Sequence, residues 1–489
     1  MTRRRPWLVV VALLAVLSLV VVACGDDAAT TTTAAPTTTA APTTTAAPTT
    51  TEAPTTTEAP TTTEAPAEIL FDVGVTLEPC PGSANPDNGC IYLGNISDFS
   101  GPFAGFGAPL AAGHIDFWTR ANAEGGIGPD GGKKFDVVVP DQYTIDAGYV
   151  AEQHVAGYEQ IRGNVAALAE TLGTLQTLAA LPLYIEDSTI AAVSTWYSGW
   201  SFSEFDGGVI LETGSSYCTE AMNGFDVMVQ IMASQGKETF TYGIVKFPGD
   251  YGEDYAAGVK YAAAQYGLGD PLAEALQIPI SAGGTLDDAV VAMATNRPDV
   301  IFVVTGPMEL ATLIGGVYGA GHQTALYMGV GPSWNPALLG TAAAPLFEAG
   351  VFFHTSPAGG WDTDTPGHAA MRAAFEAAGR DAAYRNLGYI AGWEMQYNIR
   401  AALEAAIANG DLTRAGILEA ANSLTAVDYE GMLPTKTFVG TADEVMERAS
   451  VVHRIDVEAS DGLAIFQDMF IGPTAAGYVF DAPCAVLGG

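Results

Sequence analysis

Residues 91–141 read IYLGNISDFSGPFAGFGAPLAAGHIDFWTRANAEGGIGPDGGKKFDVVVPD, and this stretch decides the fold. A short apolar run, Ile91 to Ile96, is followed by a loop rich in glycine and proline. A helical run from Pro109 to Glu124 then ends at Gly125-Gly126, and a second apolar run covers Phe135 to Val139. This order predicts a strand, a crossover helix and a second strand, the unit from which parallel sheets are built.

The same alternation continues along the chain, with further strands predicted at 165–169, 190–193, 241–247 and 300–304. Helices are predicted between these strands, and the pattern restarts near residue 216. We therefore predict an α/β protein with two doubly wound parallel-sheet lobes. A long helix predicted near 387–409 places apolar residues at helical spacing on one face, which indicates a side that packs against the core.

The N-terminus is typical of an exported protein. Arg3, Arg4 and Arg5 precede an apolar run that ends in small residues, so residues 1–23 are predicted to be a signal peptide. The residues before and including Cys24, Val-Val-Ala-Cys, resemble the bacterial lipobox, which predicts lipidation of Cys24. The alternative is an uncleaved membrane anchor in which Cys24 is an ordinary cysteine.

Residues 24–66 are predicted to be a disordered tether. From Thr30 to Pro66 the chain repeats Thr-Thr-Thr-Ala-Ala-Pro and then Thr-Thr-Thr-Glu-Ala-Pro, a composition with almost nothing to bury. In an extended polyproline-like form this segment would reach on the order of 100 Å. Glycosylation of its threonines and a plain spacer are both compatible with the sequence.

Charge and cysteine content limit the function classes. Acidic side chains outnumber basic ones by 55 to 19, which argues against nucleic acid or an anionic membrane surface as a partner. Two disulfides are expected from the remaining cysteines. Of three possible pairings we favour Cys80 with Cys90, inside an N-terminal extension (67–90), and Cys218 with Cys484. No Cys or His cluster has the spacing of a metal site.

Several motifs together resemble the type I periplasmic binding proteins, in particular the leucine/isoleucine/valine-binding family of ABC importers. They are Ser100-Gly-Pro-Phe-Ala-Gly-Phe-Gly107, then Asn122-Ala-Glu-Gly-Gly-Ile127, then a strand ending in Asp141. The resemblance runs from about Ile91 to Phe470. It implies two lobes joined by a three-segment hinge, lobe 1 being 91–213 plus 359–448 and lobe 2 being 214–358 plus 449–489.

The resemblance also implies a ligand site at the carboxyl ends of the strands, where open α/β sheets bind ligands. A helix start at Gly173-Thr174 would favour a carboxylate or carbonyl oxygen, and Thr174 also suits a simple cap of its own helix. The candidate ligand-binding residues are Phe103, Phe106, Gly173, Thr174, Trp196, Tyr197, Ser198, Tyr251, Thr305, Gly306 and Ser333.

One departure from the family bears on the ligand. Amino-acid-binding members place a carboxylate directly after a Met-Gly pair, where it pairs with the ligand ammonium, whereas this chain has Val330-Gly331-Pro332 there. The candidate wall is rich in aromatic residues, which suits an apolar or aromatic ligand. An amino acid, an amide and an apolar or aromatic compound all remain open.

The expected function is that of a monomeric, substrate-binding lipoprotein of an ABC importer. It would be anchored by Cys24 to the outer face of the cytoplasmic membrane and would capture a small organic solute by hinge closure for a membrane permease. No cofactor and no catalytic role are expected, because the known nucleophile, metal-protease, phosphate-loop and dinucleotide motifs are missing from the sequence. The alternative function is a ligand sensor of the same fold that is not coupled to import.

Overall fold

The computed structural model describes residues 69–277 and 284–486. The predicted signal peptide, Cys24 and the threonine-rich tether lie outside these residues. Among the helices described, none has the length and apolar character needed to cross a membrane. Within the same two ranges, no group of three His, Cys, Asp or Glu side chains could hold a metal ion.

The first sheet has the order β2-β3-β6-β7-β8, with β4 and β5 also pairing with β3. Its neighbouring strands are parallel except for the β2–β3 pair. The strands are β2 (Val75–Thr76), β3 (Gly89–Ser97), β4 (Phe135–Val138), β5 (Thr144–Asp146), β6 (Ala167–Thr171), β7 (Ala191–Val193) and β8 (Ile210–Leu211). A separate short pair joins β1 (Leu70–Phe71) to β14 (Asp411–Leu412).

The second sheet has the order β10-β9-β11-β12-β13-β15-β16. It is parallel as far as β13, and the last two strands are antiparallel. The strands are β9 (Tyr242–Lys246), β10 (Ala273–Leu276), β11 (Val300–Val304), β12 (Leu326–Val330), β13 (Phe352–Ser356), β15 (Ser450–Ile455) and β16 (Leu463–Phe470). The predicted α/β class with two mainly parallel sheets is confirmed.

Helices connect the strands of both sheets. They are α1 (Ala104–Ala123), α2 (Ala151–Ile161), α3 (Thr174–Asp187), α4 (Ser203–Asp206), α5 (Tyr217–Ser234), α6 (Asp250–Gln265), α7 (Asp287–Asn296), α8 (Pro307–Gly319), α9 (Ala344–Glu348), α10 (Pro366–Ala378), α11 (Leu387–Asn409), α12 (Arg414–Asn422), α13 (Ala442–Val445) and α14 (Pro473–Gly477). Helices α1 and α11 approach closely at glycines. A Cβ atom at Gly392 would lie 2.0 Å from the Leu110 carbonyl oxygen, so a larger residue would force the helices apart.

The chain passes between the two sheets after β8, after β13 and before β15, and these segments lie side by side. A Cβ atom at Gly214 would lie 2.4 Å from Pro357 Cβ, and Gly214 has a φ of +79° that favours glycine. The Ser215 and Ser450 hydroxyls are 3.0 Å apart. The predicted connection of the lobes by three segments is therefore confirmed.

Helix α1 begins at Ala104, five residues before the predicted start at Pro109. The proline lies in the second turn of the helix and has no N–H to donate to the Gly105 carbonyl oxygen. That oxygen instead accepts a hydrogen bond from Asn335 Nδ2, at 3.3 Å, in the segment after β12. The missing helical hydrogen bond is thus replaced by a contact between the two halves of the protein.

The structure pairs Cys80 with Cys90 and Cys218 with Cys484. This is the pairing that we favoured from the sequence. The first disulfide closes the turn before β3, and the second joins the first turn of α5 to the C-terminal segment.

Candidate functional site

The turns that follow strands of the first sheet contact the turns that follow strands of the second. The Phe103 ring, after β3, lies 5.6 Å from the Phe247 ring, after β9, measured between centroids. A Cβ atom at Gly331, after β12, would lie 2.8 Å from Trp196 Cζ3, after β7. The carboxyl ends of the two sheets therefore face each other, as the sequence predicts.

Aromatic rings fill the centre of this contact. Phe103 lies 4.6 Å from Tyr149, Tyr251 lies 4.7 Å from Tyr217, and Tyr217 lies 5.8 Å from Trp196, between ring centroids. We call the six rings of Phe103, Tyr149, Trp196, Tyr217, Phe247 and Tyr251 the ring cluster. Phe103, Trp196 and Tyr251 were predicted from the sequence, and the other three rings were not. Phe247 is the last residue of a predicted strand and was detectable, whereas nothing in the local sequence marks Tyr149.

The start of α3 meets the start of α6. Gly173 caps α3 with a φ of +96°, and a Cβ atom at Gly249 would lie 2.9 Å from Leu175 Cδ1. Thr174 Oγ1 and Asp250 Oδ2 are buried, and among the described residues neither has a hydrogen-bond partner of good geometry. Burial raises the pKa of Asp250 to about 6, although the nearby Thr174 hydroxyl and the backbone amides at the helix start lower it in part. The two helix starts thus hold polar atoms that a ligand could use.

Replacing Asp250 by asparagine is expected to stabilise the protein increasingly, relative to the wild type, as the pH rises. The folded protein keeps the Asp250 proton until about pH 6, whereas the unfolded chain releases it near the ordinary pKa of 3.8. Wild-type stability therefore falls as the pH rises through this window, and the variant avoids the loss. At about 1.4 kcal/mol per pKa unit, the difference should grow by about 2–3 kcal/mol.

Urea unfolding at about pH 4 and about pH 8 measures this difference. The control is Glu253→Gln, which changes a carboxylate on the same helix that pairs with Lys246 at 2.7 Å. Relative to the wild type, this control variant should not become more stable as the pH is raised. An Asp250→Asn difference that stays constant between the two conditions would contradict the burial of this carboxyl.

Tyr197 and Ser198 bind the C-terminal segment. Tyr197 donates a hydrogen bond from its hydroxyl to the Ala485 carbonyl oxygen at 2.8 Å. Ser198 Oγ accepts from the Cys484 amide at 2.9 Å and donates to Asp254 at 2.5 Å. Burial raises the pKa of Asp254 to about 7, and its hydrogen bonds to Ser198 oppose that rise. The assignment of these two residues to the ligand stays a prediction, but the Ser198 hydroxyl is already bonded within the protein.

The other predicted residues lie at the same edge and shape its turns. Ser333 Oγ accepts a hydrogen bond from the backbone amide three residues earlier, at 3.1 Å. The Thr305 carbonyl oxygen accepts from the Tyr251 hydroxyl at 3.3 Å, and Thr305 Oγ1 is buried with no partner among the described residues. Gly306 caps α8, and Phe106 is buried on α1.

A groove of about 590 Å³ opens between the start of α1 and the start of α8. We call it the α1–α8 groove. Among its described lining residues, Glu309 is the only one that carries a charge. The lining consists of Gly101, Pro102, Ala104, Gly105, Ala108, Pro109, Pro307, Met308, Glu309, Asn335, Ala337, Leu338, Ala383 and Tyr384. The groove was not predicted from the sequence because its wall combines turns that are far apart in the chain.

A smaller cavity of about 30 Å³ extends the groove inward. It shares Pro102, Gly105, Pro307 and Asn335 with the groove and is also lined by Phe103. Since Phe103 belongs to the ring cluster, the groove and the ring cluster are adjacent parts of one region between the sheets.

Residues 91–462 match the profile of the periplasmic binding protein family. Because this match covers most of the chain, the protein belongs to that family, and its fold is that of the type I members. No curated protein matches the chain. The similar solved structures include substrate-binding proteins of ABC transporters.

The fatty acid ABC transporter substrate-binding protein from Thermomonospora curvata is 26% identical, with a TM-score of 0.71 over 84% of this chain and 97% of that chain. A branched chain amino acid ABC transporter protein from Thermus thermophilus with bound valine is 16% identical, with a TM-score of 0.63 over 79% and 98% of the chains. A solute binding protein from R. palustris in complex with 4-hydroxybenzoate is 17% identical, with a TM-score of 0.61 over 79% and 98%. At these identities, the last two show the fold alone.

Proposed function

We propose that the protein captures a small apolar or amphipathic organic molecule between its two lobes and delivers it to the permease of an ABC importer. Lobe 1 comprises 91–213 with 359–448, and lobe 2 comprises 214–358 with 449–489. The observation that carries this proposal is the meeting of strand-end turns from both sheets around the ring cluster, directly beside the α1–α8 groove.

Capture occurs by hinge closure about the segments that join the lobes. The ligand enters while the lobes are apart, and closure removes water from it. The ring cluster supplies apolar faces, while the Thr174 and Thr305 hydroxyls and the start of α3 supply hydrogen bonds. The permease then recognises the closed form.

Three observations favour an apolar or amphipathic ligand over a zwitterionic amino acid. The α1–α8 groove is lined mainly by small and apolar side chains. The 26% identical relative is described as a fatty acid ABC transporter substrate-binding protein. The chain also has Val330-Gly331-Pro332 where amino-acid-binding members carry a carboxylate.

We further propose that the protein acts as an exported monomer held at the outer face of the cytoplasmic membrane by lipid on Cys24. The tether (24–66) would let the folded body stand away from the surface. Labelling of the protein with a lipid precursor, and loss of that label in Cys24→Ala, would test the anchor.

Ligand binding should raise the thermal stability of the purified protein. At a free ligand concentration one hundred times Kd, the gain is about 2.7 kcal/mol. A screen of amino acids, amides, aromatic acids and fatty acids should therefore identify a ligand.

Thr174→Ala should lower the affinity for that ligand about tenfold through loss of a hydrogen bond. Tyr251→Ala should abolish binding, whereas Tyr251→Phe keeps the ring and should bind nearly normally. Binding that survives Thr174→Ala and Tyr251→Ala together would contradict the site.

An uptake assay separates the importer from a sensor of the same fold. Cells that lack this protein should lose uptake of the ligand found in the screen, and the wild-type gene should restore it. Normal uptake in the deletion strain would contradict the importer function and would favour the sensor.

A further inference from the structure

We propose that the α1–α8 groove binds the straight hydrocarbon chain of an amphipathic ligand, whose polar end points inward to the ring cluster. This rests on the proposed capture function and deepens it by naming the ligand class, a medium- or long-chain fatty acid or a related acyl compound. It also assigns the hydrocarbon chain of the ligand to residues that are not among the candidates predicted from the sequence, on the first turns of α1 and α8.

The shape of the groove suits a narrow, flexible chain. On the α1 side the wall is formed by Ala104, Gly105 and Ala108, which lie on one face of the first turns of the helix and leave space open. On the opposite side, Met308 is 59% exposed at the start of α8. Methionine is unbranched and adapts to ligand shape. The volume of about 590 Å³ lies within the range of about 300–1,000 Å³ that small-molecule sites occupy.

A contact between the lobes holds the groove together. Because Pro109 cannot donate to it, the Gly105 carbonyl oxygen accepts a hydrogen bond from Asn335 Nδ2 in the other half of the protein. Both residues line the groove and also the inner cavity that leads to Phe103. The groove is thus continuous with the site proposed for the rest of the ligand.

Charge sets the orientation of the ligand. Among the described residues that line the groove there is no basic side chain, and Glu309 would repel an anionic group. The polar end therefore belongs at the inner end, near the buried hydroxyl of Thr305. Thr305 Oγ1, directly before the start of α8, is buried and has no hydrogen-bond partner among the described residues. Thr174 Oγ1, at the start of α3, is also buried but lies beside the carboxyl group of Asp250.

Burial of the ligand's hydrocarbon chain predicts that the affinity depends steeply on the length of that chain. Burying a methylene contributes about 0.8 kcal/mol, which corresponds to about a fourfold tighter Kd per added methylene. The increase should continue until the groove is full and then stop.

The test measures Kd of the full-length protein for butanoate, octanoate and dodecanoate by calorimetry. The wild type should bind them in order of increasing affinity. In Gly105→Leu the new side chain should occupy the groove, because a Cβ atom there meets only Asn335 Nδ2, at 3.7 Å. We expect the ratio of dodecanoate affinity to butanoate affinity to fall at least tenfold, because the leucine takes the space of the outer methylenes. Thr305→Val should instead weaken all three acids by a similar factor.

The matched control is Gly315→Leu, a glycine on α8 whose Cβ position is also open but which lies outside the lining of the groove. It should bind all three acids like the wild type. Equal wild-type affinity for butanoate and dodecanoate, or an unchanged chain-length dependence in Gly105→Leu, would overturn the chain site. Either result would leave the capture function standing if another solute binds in the thermal screen, whereas a screen without any ligand would overturn the capture function itself.

Discussion

Replacing Cys218 and Cys484 together by alanine is expected to lower the free energy of unfolding by about 3–5 kcal/mol. The disulfide joins residues that are 266 apart in sequence, so its removal frees a large loop in the unfolded chain. Cys218 is fully buried in the first turn of α5. The loss should appear as a lower urea midpoint under non-reducing conditions.

The same change should loosen the C-terminal segment, residues 478–486. Phe480 packs with Phe202 and Met446, and the Cys484 amide donates to Ser198. Without the disulfide only non-covalent contacts such as these hold the segment. Limited proteolysis of the double variant should therefore cut near residue 480 well before it cuts the sheets.

The disulfide between Cys80 and Cys90 provides the control, because it closes a loop of only 10 residues. Its removal should cost less stability, since the entropy of loop closure rises with loop length. If the two double variants lose equal stability, the C-terminal disulfide does not stabilise the fold through its long loop.

Replacing Lys436 by methionine is expected to destabilise the protein by about 3–5 kcal/mol, because it leaves a buried carboxylate without its partner. Lys436 Nζ lies 2.9 Å from Glu212 Oε1, and the two side chains are only 3% and 4% exposed. Burial, with a smaller effect of Glu212, raises the pKa of the nearby Asp206 to about 8. Loss of the lysine would leave this acidic region without its buried cation.

A double-mutant cycle tests whether the stability depends on the ion pair between Glu212 and Lys436 or only on the shape of their side chains. Glu212→Gln with Lys436→Met removes both charges and should recover much of the stability that Lys436→Met loses. Urea unfolding of the four proteins gives the interaction energy. Additive losses in the double variant would contradict an ion pair that is coupled in the folded state.

The sequence determined the elements whose signals are local. The predicted helix at 387–409 has these bounds in the structure, since Asn386 caps its start and Gly410 ends it. The predicted strand at 91–96 lies inside β3, and the helix start at Thr174 is that of α3. These predictions succeeded because caps, breakers and apolar periodicity act over a few residues.

The site was predicted only in part. The resemblance to the type I family, applied to the turns after strands, led to Phe103, Trp196 and Tyr251, which do meet in the ring cluster. Tyr149 and Tyr217 were missed because their ring contacts join segments far apart in the chain. The α1–α8 groove was missed for the same reason, since its walls belong to opposite lobes.

By itself, the sequence determined the class of fold and the edge of the sheets at which the turns lie, and it favoured one of three disulfide pairings. Only the tertiary structure decided which side chains at that edge face each other, which hydroxyls are already bonded and where space remains. The physical reason is that local patterns encode the direction of each strand and helix, whereas cavities and cross-lobe contacts depend on the packing of distant segments.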